Sequence, residues 1–209
     1  MDAIARPFST RDFRMRAAQE RGPHAGADYG DHRWNPGSAP LFVRDTLRDA
    51  AVLIPVVDHG DRATVLLTKR AEKLRSHSGQ IAFPGGRIDA TDPSPEDAAL
   101  RETEEEIGLD RHFIDIIGRM PDYVSGSGYR IAPVLSVVRP GFRLHINADE
   151  VDDAFEVPLS FLMDPANHTR DSRVWQNKER FFYTMPYDGR NIWGVTAGII
   201  RTLYERLYA

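Results

Sequence analysis

Glu102, Glu105 and Glu106 fall within five positions of the segment from Gly85 to Leu109, GGRIDATDPSPEDAALRETEEEIGL. At about 100° of rotation per helical residue, with Glu102 at zero, Glu106 lies near 40° and Glu105 near 300°, while Leu100, Thr103 and Ile107 gather between about 100° and 160°. The three carboxylates thus share one side of a predicted helix, and the core positions take another. Like charges on one face repel unless something positive stands among them. An all-oxygen donor set suits Mg2+ or Mn2+. A glutamate run on a helix is more often a solvated surface face. Here the context favours a site: Pro84, Gly85 and Gly86 precede the helix, Arg101 directly precedes Glu102, and Gly108 supplies a helix stop.

These residues resemble the box of the Nudix hydrolases, G-x5-E-x7-R-E-U-x-E-E-x-G-U with U a bulky apolar residue. Arg101, Glu102, Glu105, Glu106, Gly108 and Leu109 meet its second half. Thr103 replaces an apolar residue, and the interval from Gly86 to Arg101 is one residue longer than the pattern. Asp92 stands where the first glutamate is expected. The resemblance implies that this acid pairs with Arg101 to hold the loop. Immediately upstream, LLTKRAEKLRSHSGQIAFPGG (Leu66 to Gly86) is similar to the signature that accompanies the box in coenzyme A pyrophosphatases.

That second resemblance implies hydrolysis of the diphosphate bond of coenzyme A or its derivatives, giving adenosine 3',5'-bisphosphate and 4'-phosphopantetheine or its acyl form. Glu102, Glu105 and Glu106 would hold Mg2+ or Mn2+, with a backbone carbonyl of the Gly85–Gly86 turn, assigned to Gly86, as a further ligand. Glycine suits a chain that must pass close to an ion without a side chain, although a plain tight turn would also explain it. Arg70, Arg75 and His77, with Gly85, are assigned to the anionic substrate, because guanidinium forks match phosphate geometry. Lys69 and Lys73 read rather as solvation of a loop. The general base is assigned first to Glu105 and second to Glu150, with a surface acid capping a turn as the other reading of Glu150. Tyr123 and Tyr129 either stack on an adenine or, more commonly for such residues, pack. A similar sequence, IWGVTAG around Trp193, is read as seating the last helix.

The elements that must position these groups follow from the rest of the chain. The 209 residues are 41% apolar and 28% charged, enough for one substantial core. A formal charge of −4 argues against a general nucleic-acid binder. The lack of cysteine excludes disulfides and thiol chemistry. No run of about 18 apolar residues suggests a membrane span, and a transit-peptide reading of the Arg-containing N-terminus is weakened by Asp2, Asp12 and Glu20. The expectation is a cytoplasmic enzyme acting on a small molecule, with no nucleic-acid or membrane partner and with a homodimer compatible.

Residues 1–45 are expected to form a partly flexible arm, with a helix near Arg11 to Glu20 and then a loose Gly- and Pro-containing stretch. Residues 46–209 would form the Nudix domain. Within it, AVLIPVVDHG and ATVLLTKR read as a hairpin, and FIDIIGRM, RIAPVLSVV, FRLHI and RFFYTMPY as further strands, with Pro133 favouring an edge or bulge. Asp149 to Phe155 reads as a helical turn, Val157 to Met163 as a buried segment, and Thr196 to Tyr208 as a closing helix. The order implies an α+β architecture, which the resemblance sharpens to an α/β/α sandwich around a mixed sheet. Two other functions fit the same box: a hydrolase of ADP-ribose, a dinucleotide or a nucleoside triphosphate, and a non-catalytic nucleotide sensor.

Overall fold

The computed structural model describes residues 5–19, 29–35, 47–175 and 177–209. A mixed sheet forms the centre. Strand β2 (Arg48–Asp58) runs parallel to β8 (Tyr129–Val138) over ten residue pairs, from Arg48 with Tyr129 to Val57 with Val138. On its other side β2 pairs antiparallel with β3 (Ala63–Arg70) and with the short β5 (Gly85–Arg87). Strands β4 (Ile81–Ala82) and β9 (Val151–Pro158) flank β3, while β6 (Ile114–Arg119) and β7 (Tyr123–Val124) flank β8. Strand β1 (Tyr29–Gly30) runs parallel to β7.

Strand β2 is covered on both faces, which is why its sequence is a continuous apolar run rather than an alternating one. Ala50, Ile54 and Val56 face α4 (Val195–Leu207) and α1 (Thr10–Gln19) in the larger core. Ala51, Leu53 and Val57 face α2 (Pro95–Ile107). Helices on both faces of a mixed sheet make the α/β/α sandwich expected from the sequence. Helix α2 starts at Ser94, whose hydroxyl accepts the Asp97 N–H at 3.1 Å, with Pro95 in the first turn, and it stops at Gly108, where φ is 64°. Buried Thr103 satisfies its hydroxyl by donating to the Ala99 carbonyl at 2.6 Å, so this polar residue takes an apolar position of the box without an unpaired group.

Several expectations are corrected. Pro133 lies in central β8, at the break where β6 pairing ends at Val134 and β7 pairing begins at Ile131, so its missing N–H is not needed by a neighbour. Residues 142–146 are not a strand: Phe142 and Leu144 pack beside Ile107 while the backbone serves the end of α2. Residues 151–155, expected as a helical turn, belong to β9. A second, three-stranded sheet of β10 (Thr169–Trp175), β11 (Lys178–Tyr187) and β12 (Arg190–Trp193) precedes α4, and only β11 was visible in the sequence.

Near the N-terminus, α1 occupies the predicted place but packs tightly. Phe13 is fully buried, Arg16 donates to the Leu207 carbonyl at 2.8 Å, and Asp31 accepts the Tyr123 hydroxyl and the Gly126 N–H, each at 2.6 Å. The Gly- and Pro-containing positions 22, 23, 26, 36, 37 and 40 lie outside the described residues. Among the described residues, no helix is long and apolar enough to cross a membrane.

Candidate active site

Strand β5 and the last two turns of α2 face one another across the edge of β2, and the acids of the box line that cleft. Gly85 and Gly86 are strand residues here, not a free turn. An added Cβ on Gly85, where φ is 146°, would strike the Ala51 carbonyl and the Val52 backbone. On Gly86 it would come within 2.5 Å of the Glu102 carboxylate. The first glycine therefore lets two strands meet, and the second leaves space that a carboxylate fills.

Arg101 spends all five of its N–H donors in this region. Nε and one terminal nitrogen form a fork with Asp92, both at 2.9 Å, and the same terminal nitrogen reaches the Arg87 carbonyl at 3.2 Å. The other terminal nitrogen donates to Glu102 at 3.0 Å and to Glu105 at 2.9 Å. The Arg101 guanidinium holds the Asp92 carboxyl below its ordinary range. The aspartate and the one-residue-longer loop thus reproduce the loop-holding pair that the resemblance implied.

Glu106 sits differently. It is only 2% exposed; its Oε2 accepts the Gly85 N–H at 3.1 Å, and its Oε1 lies 3.6 Å from the Arg70 guanidinium. Burial pushes its carboxyl up to about 7, against the lowering effects of the Gly85 N–H and Arg70, with the charges of Glu102 and Glu150 adding to the rise. Burial also raises Glu102, opposed by Arg101 and reinforced by Glu105 and Glu150. Both Glu105 and Glu106 occupy the last turn of α2, where the helix dipole disfavours negative charge. Arg101 and Arg70 offset only part of this, since Glu102 and Glu106 remain raised beside them, and a further cation would relieve the rest.

The donor chemistry fits a hard divalent cation: three carboxylates and the carbonyls of β5, all oxygen. Among the described residues, no three acids or histidines already converge tightly enough to enclose an ion. Glu102 and Glu105 instead share the guanidinium of Arg101, and Glu105, whose side chain is 53% exposed, has room to turn.

The structure brings Arg70, Gly85, Gly86, Glu102, Glu105 and Glu106 to one cleft, and Glu150 lies close enough for its charge to act on Glu102 and Glu106. Arg75 and His77 stand on the exposed loop between β3 and β4. His77 has φ of 56°, and its ring nitrogen meets Gln80 at 3.0 Å. Lys69 and Lys73 pair with Glu72 and Asp149. Tyr123 is a core residue and Tyr129 packs under Arg48, so the packing reading holds for both. Trp193 ends β12 just before Gly194 opens α4. Sequence reasoning missed Asn147, whose side chain meets Glu150; the signal was the Asn-x-Asp pattern of a side-chain-capped turn.

A family model described as the NUDIX domain matches residues 47–182. The chain is 40% identical over 174 residues to the "Uncharacterized Nudix hydrolase NudL" of Enterobacter sp. (strain 638), a match covering 78% of this chain and 86% of that protein. It is 42% identical over 167 residues to the protein of the same name from Cronobacter sakazakii (strain ATCC BAA-894), with the same coverages. Among solved structures, the Nudix hydrolase RenU from M. smegmatis aligns with a TM-score of 0.52 at 20% identity, over 76% of this chain and 84% of that one, a likeness of fold. Nudix hydrolases generally use divalent metal ions. By family model, relatives and fold together, the chain belongs to the Nudix hydrolase family.

Proposed function

We propose that this Nudix hydrolase cleaves the diphosphate bond of coenzyme A or one of its derivatives, releasing adenosine 3',5'-bisphosphate and 4'-phosphopantetheine or its acyl form. The observation that carries the reading is the meeting of the two motifs. The segment Leu66 to Gly86 delivers Arg70 to 3.6 Å from buried Glu106, and its last residues, Gly85 and Gly86, touch Glu106 and flank Glu102. A cation on the upstream motif beside the acids of the box suits a substrate that carries a diphosphate and one further phosphate.

Glu102, Glu105 and Glu106, with the Gly86 carbonyl, would hold Mg2+ or Mn2+. When bound, such an ion neutralises charge on the phosphoryl oxygens and makes water more acidic. Arg70 grips a phosphate oxygen and counters the charge of Glu106. Arg101, locked by Asp92, keeps the β5–α2 loop in shape. The water oxygen attacks one phosphorus as the bridging P–O bond to the leaving phosphate breaks, and a carboxylate takes the proton that the water loses. Glu150 is better placed for this than Glu105, because Glu105 accepts from the Arg101 guanidinium whereas Glu150 accepts only an amide N–H among the described residues. Arg75 and His77, on the exposed loop, would meet the outer phosphate, and the Gly85 backbone would border the diphosphate.

The test is a substrate panel with Mg2+ or Mn2+: coenzyme A, ADP-ribose, NADH and nucleoside triphosphates, with products separated by chromatography. Coenzyme A is expected to be turned over with the highest kcat/KM, yielding adenosine 3',5'-bisphosphate. Preference for ADP-ribose, NADH or a triphosphate would replace the substrate assignment while leaving the site intact. Binding without turnover on every substrate would favour the sensor reading.

A further inference from the structure

The segment after β8 closes over the C-terminal end of α2. A helix end leaves its last carbonyls without partners inside the helix. Here the Ile107 carbonyl accepts the His145 N–H at 2.8 Å, and the Glu106 carbonyl accepts the Asn147 N–H at 2.9 Å. The chain then turns: the Asn147 carbonyl accepts the N–H groups of Glu150 and Val151 at 3.0 and 2.9 Å, and Asn147 Oδ1 accepts the Asp149 N–H at 3.1 Å. The other end of the same side chain, Nδ2, donates to Glu150 Oε1 at 3.3 Å.

The turn is also tied to the loop that follows β3. The Glu150 carbonyl accepts the Ala71 N–H at 2.8 Å, Asp152 accepts the Glu72 N–H at 3.1 Å, and Lys73 pairs with Asp149 at 2.6 Å. These bonds fix the backbone under Glu150 and leave its carboxylate direction as the remaining freedom. A glutamate side chain held in one orientation gives up rotamer entropy, so a dedicated hydrogen bond is needed to hold it.

We infer that Asn147 is a positioning residue: its backbone is registered on the helix end that carries Glu106, and its amide aims the Glu150 carboxylate at the reacting water. An amide N–H occupies one carboxylate oxygen and leaves the other for the proton. The inference rests on the reading of Glu150 as the proton acceptor.

Asn147→Asp tests it, because aspartate keeps the acceptor for the Asp149 N–H but sets a like charge against Glu150. The expected result is a kcat lower by about tenfold to a hundredfold, the scale of one charge-assisted hydrogen bond, with KM and melting temperature little changed. In a Glu150→Gln background the same substitution should cost less than about twofold, since no proton acceptor is left to aim. Asn147→Ser, which keeps a short acceptor but cannot reach Glu150, should behave in the same way and serves if the aspartate variant does not fold. Equal costs in both backgrounds would overturn the inference, as would an unchanged kcat in the single variants. Wild-type turnover in Glu150→Gln would instead remove the reading of Glu150, and the inference with it.

Discussion

On the sheet face covered by α4 and α1, Phe13, Ile54, Leu135, Ile200 and Leu203 fill the space with large apolar side chains. On the face covered by α2 a smaller cluster joins Ala51, Ala98, Ala99 and Ala132 with Leu53 and Val134, and the edge of the helix carries Glu102, Glu105 and the buried Glu106. The first face maximises apolar burial, at about 25 cal/mol for each Å². The second buries a carboxylate at the end of a helix whose dipole opposes it. Stability is gathered on the first face and given up on the second, where strain persists because the surrounding structure supports it.

The largest effect is expected on the apolar face. Phe13→Ala should destabilise the protein by about 3–5 kcal/mol, read from urea unfolding, while turnover of the folded fraction stays near normal. A loss below about 1 kcal/mol would mean that α1 is not part of the core, and the sequence-based picture of a loose arm would return.

On the charged face the contribution depends on pH. An acid whose folded value is raised binds its proton more tightly in the folded state, so its contribution is fully present at low pH and is lost as pH climbs. For Glu106, raised from 4.5 to about 7, the loss runs across that window and amounts to up to about 3 kcal/mol at 1.36 kcal/mol for each unit. Unfolding of metal-free protein in chelator should therefore show this term declining from pH 4.5 to pH 7 and flat above it. Glu106→Gln should abolish it. An identical pH profile in the variant would contradict the burial argument.

The adjacent glycines separate fold from site. Gly85→Ala meets backbone and should lower stability sharply. Gly86→Ala meets only the movable end of Glu102, so stability should change by less than about 1 kcal/mol, while displacement of that carboxylate by about 1 Å costs roughly tenfold to 10² in kcat. Equal loss of stability in both variants would erase the distinction. The smallest expected effect concerns specificity: replacing Arg70 and Arg75 together by Gln should lower coenzyme A hydrolysis relative to ADP-ribose hydrolysis by more than about tenfold. Dephospho-coenzyme A, which lacks the 3'-phosphate, is the control. Equal loss on every substrate would mean that the arginines serve the shared diphosphate or the loop.

The parts of this molecule that could be read from sequence are those whose signal is local. The helical face of the glutamates, the Gly108 stop, the hairpin of β2 and β3, and the closing helix all rest on periodicity or turn chemistry within a dozen residues. What could not be read depends on distant partners. The 142–146 segment has a strand-like pattern, yet the N–H of His145 and, just beyond the segment, that of Asn147 cap α2, about 40 residues earlier in sequence. Pro133 marks a break between two neighbours of β8, which only the sheet order reveals. Phe13 shares its polar helix with one other large apolar side chain, the exposed Met15, so no apolar stripe in the sequence pointed to a core contact. The acids of the box were legible as a set, but not their division between Arg101 on the exposed side and Arg70 on the buried one.

The most direct test of the trade made on the α2 face takes two readings from one preparation of Glu106→Gln: stability in chelator at pH 8, and turnover with saturating Mg2+ or Mn2+. Removing the buried charge while keeping an acceptor for the Gly85 N–H should raise the melting temperature. Losing the proposed metal ligand should lower kcat by roughly 10² or more. A variant that is no more stable than the parent and turns over substrate at a near-normal rate would contradict the account on both counts.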